Sequence, residues 1–116
     1  MAAFAIMATC LAGSAANAHA TLTSSKPQAN AATTSPTELR LSFSEGVVAK
    51  FSGVELKDEG GKAVATGTAT TDPKDKKQLV IPLSAPLAAG RYTVTWHVVS
   101  EDTHRVKGEY SFMVTP

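Results

Sequence analysis

From residue 20 onward the chain alternates apolar and polar residues in short runs. A side-chain period of two belongs to a strand that buries one face. Leu39, Leu41 and Phe43 alternate with Arg40 and Ser42, and Val54 and Leu56 with Glu55 and Lys57. Leu79, Ile81 and Leu83 form a third set, with Pro82 placing that strand at an edge or beside a bulge. Tyr92, Val94, Trp96 and Val98 form a fourth, and Tyr110, Phe112 and Val114 close the chain. No stretch after His19 carries a comparable helical period.

Turn chemistry punctuates these runs. Asp58-Glu59-Gly60-Gly61 reads as a hairpin turn, Asp72-Pro73-Lys74-Asp75 as a loop, and Ala88-Ala89-Gly90 as a tight connection. Adding Ala20–Ser24 and Ala63–Thr70 gives seven short strands. The expectation is one all-β domain, an antiparallel sandwich or barrel of immunoglobulin-like size. The Ser/Thr/Ala/Pro segment Asn30–Pro36 reads as loop, and Lys74, Lys76 and Lys77 as a solvated hairpin tip.

The chain has 116 residues, which allows one domain. A formal net charge of +1 leaves no electrostatic footprint for nucleic acid and no polybasic membrane signal. The one cysteine excludes an intramolecular disulfide, a Cys-rich zinc site and a cysteine-ligated iron–sulfur cluster.

Met1–Ala20 is uncharged, apolar to about Ala12, then small and polar. That is the h-region and cleavage zone of a secretory signal, although no Lys or Arg precedes Lys26. Cutting after Ala16-Asn17-Ala18 makes residues 1–18 the signal peptide and 19–116 the domain, beginning at His19. Cutting after Ala18-His19-Ala20 would begin the chain at Thr21 instead. Met7-Ala8-Thr9 before Cys10 is a poor lipobox, and Cys10 leaves with the signal. A cysteine-free mature chain suits an oxidising compartment.

Three histidines and nearby carboxylates hold the chemistry. A histidine at position one offers its α-amine and ring Nδ1 to a single ion. The amine titrates near ~8, so a metal deprotonates it near neutral pH. In Ser100-Glu101-Asp102-Thr103-His104, an extended chain would set Asp102 and His104 on one side. A sulfur-free N/O set of His19, Asp102 and His104 fits tetragonal Cu(II). Taken singly, each residue also fits a solvated surface. His97, one position after the core residue Trp96, points away from the core side and reads as a surface histidine rather than a ligand.

Rival motifs fall short. Ser100, Asp102 and His104 are the residue types of a hydrolytic triad, but strand neighbours do not form the Ser–His–Asp relay, and no nucleophile elbow accompanies them. Asp72–Asp75 lacks the ligand spacing and glycine of a calcium loop. No phosphate loop, dinucleotide fingerprint or glycosylation sequon is present.

Three stretches resemble the CopC family of periplasmic copper-binding proteins: HATLTSSKPQ after the A-x-A site, ELRLSFSEGV, and YTVTWHVVSEDTHRVKGEYSFMV. The most specific is W-x-V-x-S-x-D-x-H-x-x-x-G-x-x-x-F, Trp96 to Phe112. The resemblance implies a seven-stranded Greek-key β-sandwich and one Cu(II) per chain. It places amine and imidazole nitrogens on His19, further in-plane ligands on Asp102 and His104, and a nearby or axial carboxylate on Glu45. It also favours the cut that keeps His19.

Some members carry a methionine-rich loop for Cu(I). This chain has only Met1, Met7 and Met113, so no second, cuprous site is expected. The resemblance implies a periplasmic copper carrier or buffer in resistance or homeostasis, without turnover, with a copper-transporting inner-membrane protein as partner; nothing in the sequence suggests an obligate interface, so a monomer is expected. The alternatives from other classes are a histidine-brace copper monooxygenase and a metal-free structural sandwich.

Overall fold

The structure is a computed structural model and describes residues 20–116. Among them nine strands run in chain order: β1 (Leu22–Lys26), β2 (Ala32–Thr33), β3 (Glu38–Phe43), β4 (Gly53–Asp58), β5 (Ala63–Val64), β6 (Thr70–Asp72), β7 (Asp75–Pro82), β8 (Gly90–Val99) and β9 (Arg105–Val114). They form two sheets, one of order β1-β3-β7-β6 and one of order β2-β9-β8-β4-β5. Two-residue β2 and β5 aside, seven strands remain, the number expected from the sequence. The two sheets face each other as a β-sandwich, and the side-chain pattern explains why.

Leu39, Leu41 and Phe43 of β3, Leu79 and Ile81 of β7, Tyr92, Val94, Trp96 and Val98 of β8, and Tyr110, Phe112 and Val114 of β9 are all buried in one core. Every one is a residue the period-two reading placed inward. Tyr92 stacks on Phe112, with ring centroids 5.7 Å apart, and Phe43 meets Trp96 edge-on at 5.2 Å. The first contact lies within the five-stranded sheet and the second joins the two sheets across the core. Met113, between Phe112 and Val114, faces out and is 40% exposed.

β8 and β9 set the frame, pairing antiparallel without a register shift from Gly90↔Val114 to Val99↔Arg105. This register puts Trp96 opposite Gly108, where the indole occupies the space a side chain would fill. A Cβ built on Gly108 would lie 2.5 Å from Trp96 Cζ2. At the β4–β5 hairpin, Gly61 takes φ +83, a left-handed conformation that a residue with a Cβ adopts at a cost. Asp58 Oδ1 accepts the N–H groups of Gly60 and Lys62 there.

The structure corrects four details. The expected strand Ala63–Thr70 is two, β5 and β6, which lie in different sheets. Residues 32–33, expected as loop, form β2, which pairs parallel with β9, so the sandwich is antiparallel except at that pair. β7 is an inner strand between β3 and β6. Pro82 is its last residue, opposite Glu38, so the missing N–H costs the ladder little there.

Candidate metal centre

β8 ends at Val99 and β9 begins at Arg105, so the five residues between them make the hairpin connection. The chain turns back because Thr103 takes φ 72 and its N–H bonds to the Ser100 carbonyl at 2.8 Å. Ser100 N–H then donates to the His104 carbonyl at 2.9 Å and closes the turn. The Ser100 side chain is fully buried; its hydroxyl contacts a carboxylate oxygen of Asp102 and reaches the His104 carbonyl at 3.3 Å. One buried hydroxyl thus organises both candidate ligands.

Asp102 and His104 do meet, with His104 Nδ1 3.1 Å from Asp102 Oδ2. They meet across a turn, not on the extended chain that their spacing suggested. Both side chains are a little under half exposed, 45% and 46%, and so are open to an ion from solvent. The Ser100 hydroxyl, then the His104 ring, hold the Asp102 carboxyl below the usual carboxylate range. Asp102 is therefore an anionic donor at any pH where imidazole binds metal. With its oxygen on Nδ1, the geometry assigns the ring proton there in the metal-free state. A metal bound at Nε2 would leave that contact in place.

The order of contacts also disposes of the hydrolytic reading. In a triad the histidine lies between serine and carboxylate. Here Asp102 is in the middle, and Ser100, the nucleophile that reading needs, is buried at 0% exposure.

The Glu45 segment is stitched to the same turn. Glu101 N–H bonds to the Gly46 carbonyl at 3.0 Å, and Val47 bridges to Ser100. The Glu101 side chain folds over Gly46, where a Cβ would come within 2.5 Å of Oε1, and extends to Lys76 Nζ at 3.7 Å. Glu45 itself is half-buried and makes no hydrogen bond or ion pair among the described residues. The fold brings its backbone beside the turn without joining its carboxylate to Asp102 or His104.

His19 lies outside the described residues, and so does the cleavage zone. The chain that follows is firmly placed. Ala20 is 2% exposed and part of the core, Thr21 N–H donates to Ser44 Oγ at 2.9 Å, and Leu22 pairs with Phe43. Among the described residues no three His, Cys, Asp or Glu side chains gather at a metal-binding distance. His97 is exposed on the outer face of the five-stranded sheet, opposite Lys107 on one side and Gly53 on the other. Sequence reasoning missed Gly46 and Glu101 as fasteners of the turn, because cross-strand register alone brings them together.

A model of the CopC domain family matches residues 22–115. Protein YobA of Escherichia coli strain K12 is 44% identical over 113 residues, spanning 97% of this chain and 91% of that protein. The copper resistance protein C of Escherichia coli is 42% identical over 105 residues, spanning 85% of this chain and 83% of its own. The crystal structure of PcoC, described as a methionine-rich copper resistance protein from Escherichia coli, superposes with a TM-score of 0.76. Its identity is 39%, over 84% of this chain and 99% of that one.

Proposed function

The chain belongs to the CopC family, and from that premise we propose that it binds one Cu(II) per chain and carries or buffers it in the periplasm, without turnover. The observation that supports this most is the Asp102–His104 pair, preorganised on a turn by a buried hydroxyl. Two donors do not make a copper site, and the proposed source of the others is the first residue of the exported chain. Thr21 is bonded to Ser44, one residue from Glu45, and Ala20 before it is buried in the core, so the described chain begins beside the Glu45 segment.

Removal of residues 1–18 would leave His19 as the first residue, adding an α-amine and an imidazole. The resulting set is three nitrogens and one carboxylate oxygen, with Glu45 as an outer or axial carboxylate. Such a sulfur-free tetragonal set favours Cu(II) over Cu(I). Met113 is the one methionine among the described residues, which therefore hold no cluster of thioethers to favour Cu(I). An in-plane carboxylate stabilises the cupric state and occupies a position that oxygen chemistry needs, which favours a binding protein over an oxidase.

Electron paramagnetic resonance of the exported protein with one equivalent of Cu(II) tests the ligand set. The expected spectrum is tetragonal with nitrogen hyperfine structure, altered in Asp102→Ala and losing a nitrogen in His104→Ala. A spectrum of aquated copper in the unsubstituted protein, or sustained peroxide production with ascorbate, would overturn the proposal. Affinity should fall as the medium is acidified, because protons compete with copper for nitrogen donors.

A further inference from the structure

β9 is paired along its whole length on one side but only at its end on the other. Among the described residues, β2 covers just Met113 and Val114. The bonds on that side come from odd-numbered residues of β9 and the chain after it: Asn30 N–H to the Ser111 carbonyl at 2.7 Å, Met113 N–H to the Ala31 carbonyl at 2.8 Å, and Thr115 N–H to the Thr33 carbonyl at 2.8 Å. In an antiparallel ladder both main-chain groups of a residue point to the same edge, and those of its neighbours to the other. The β8–β9 register is unbroken, so Arg105, Lys107 and Glu109 aim their N–H and C=O groups at the same open edge. No hydrogen bond from the described residues reaches them there.

The side chains above that edge are cationic. Arg105 and Lys107 are exposed on the outer face and, with His97, line a groove of about 750 Å³. Phe51, 58% exposed, forms part of its wall, with Lys50 Nζ 5.8 Å from the ring centre. No acidic residue lines the groove; Glu109 is the first acidic group along the strand. Charges on an edge discourage pairing with an unrelated apolar strand, and here they narrow the guest to a strand of opposite sign.

We propose that the open edge of β9 is a docking site for an extended acidic segment of a partner protein. The segment adds as a further strand opposite residues 105–109. Main-chain bonds to Arg105, Lys107 and Glu109 supply the pairing, and acidic side chains at alternate positions lie against Arg105 and Lys107. A basic or neutral residue falls opposite Glu109. An unpaired ladder beside a cationic sheet face suits a peptide strand, whose main chain supplies the missing partners, better than a lipid surface, which has none to offer. A second copy of this chain, pairing antiparallel about Lys107, would set Lys107 against itself but each Arg105 against a Glu109, so a dimer is the competing occupant that the test must separate. The site starts one residue after His104 but does not depend on any metal.

The test is nuclear magnetic resonance of the exported protein with the peptide acetyl-Thr-Asp-Val-Asp-Val-Lys-Thr-amide. The expected result is saturable binding that slows amide exchange at Arg105, Lys107 and Glu109 at least about tenfold. The paired variant Arg105→Glu with Lys107→Glu should weaken binding at least about tenfold with its melting temperature unchanged. N-methylation of alternate peptide amides should abolish binding without touching the protein. Equal binding of the N-methylated peptide, or of one with Lys in place of Asp, overturns the proposal. So does a sedimenting dimer in which those three amides are already protected.

Discussion

Gly108→Ala is the substitution whose sign the fold determines most sharply. Replacing glycine by alanine in an ordinary strand stabilises, because alanine restricts the unfolded chain, by about 0.4–1 kcal/mol. At Gly108 the added Cβ would sit 2.5 Å from Trp96 Cζ2, 2.9 Å from Cε2 and 3.3 Å from Cη2. Optimal carbon contacts are about 3.5–4.0 Å, so the first overlap is about 1 Å. The indole has little room to retreat, being only 6% exposed and edge-on to Phe43 at 5.2 Å. Overpacking of this kind costs about 1–3 kcal/mol and outweighs the entropic gain.

For a domain of this size each kcal/mol lowers the midpoint by about 4–8 °C. Thermal unfolding followed by fluorescence of Trp96, the protein's one tryptophan, reads both stability and ring environment. Trp96→Phe in the Gly108→Ala background should recover part of the loss, a coupling that a double-mutant cycle isolates. A Gly108→Ala protein as stable as the parent, with unchanged emission, would refute the reasoning.

Phe112→Ala, at a side chain of 0% exposure stacked on Tyr92, should cost about 3–5 kcal/mol by denaturant titration. Ser100→Ala removes the leading cause of the lowered Asp102 pKa, so a carboxyl-carbon titration should show that pKa rising. A depressed carboxyl stabilises the fold above its unfolded pKa of about 3.9, and that stability is lost as pH falls through the folded value. The difference between parent and Ser100→Ala should therefore narrow in acid. His97→Ala, on the outer sheet face, should leave copper affinity within about twofold of the parent by competition titration.

The strands were legible because period two is a property of the chain itself: β3, the inner half of β7, β8 and β9 bury the residues their alternation marks. Residues 63–72 were not, since Ala, Thr and Gly there show no alternation, and only tertiary pairing sends β5 and β6 to opposite sheets. β2 is two residues long and exists through its parallel partner. At the site, residue types and spacing pointed to Asp102 and His104, while their approach comes from a turn with Thr103 at φ 72. The seat of Trp96 on Gly108 and the open edge of β9 follow from register and strand order, which no local pattern encodes.

The central claim is that export creates a copper site from His19 and the β8–β9 turn. Native mass spectrometry of the exported protein with one equivalent of Cu(II) reads the N-terminus and the bound ion together. The expected result is a chain beginning at His19 that retains one copper. A chain beginning at Thr21, or one beginning at His19 that holds no copper, would contradict it.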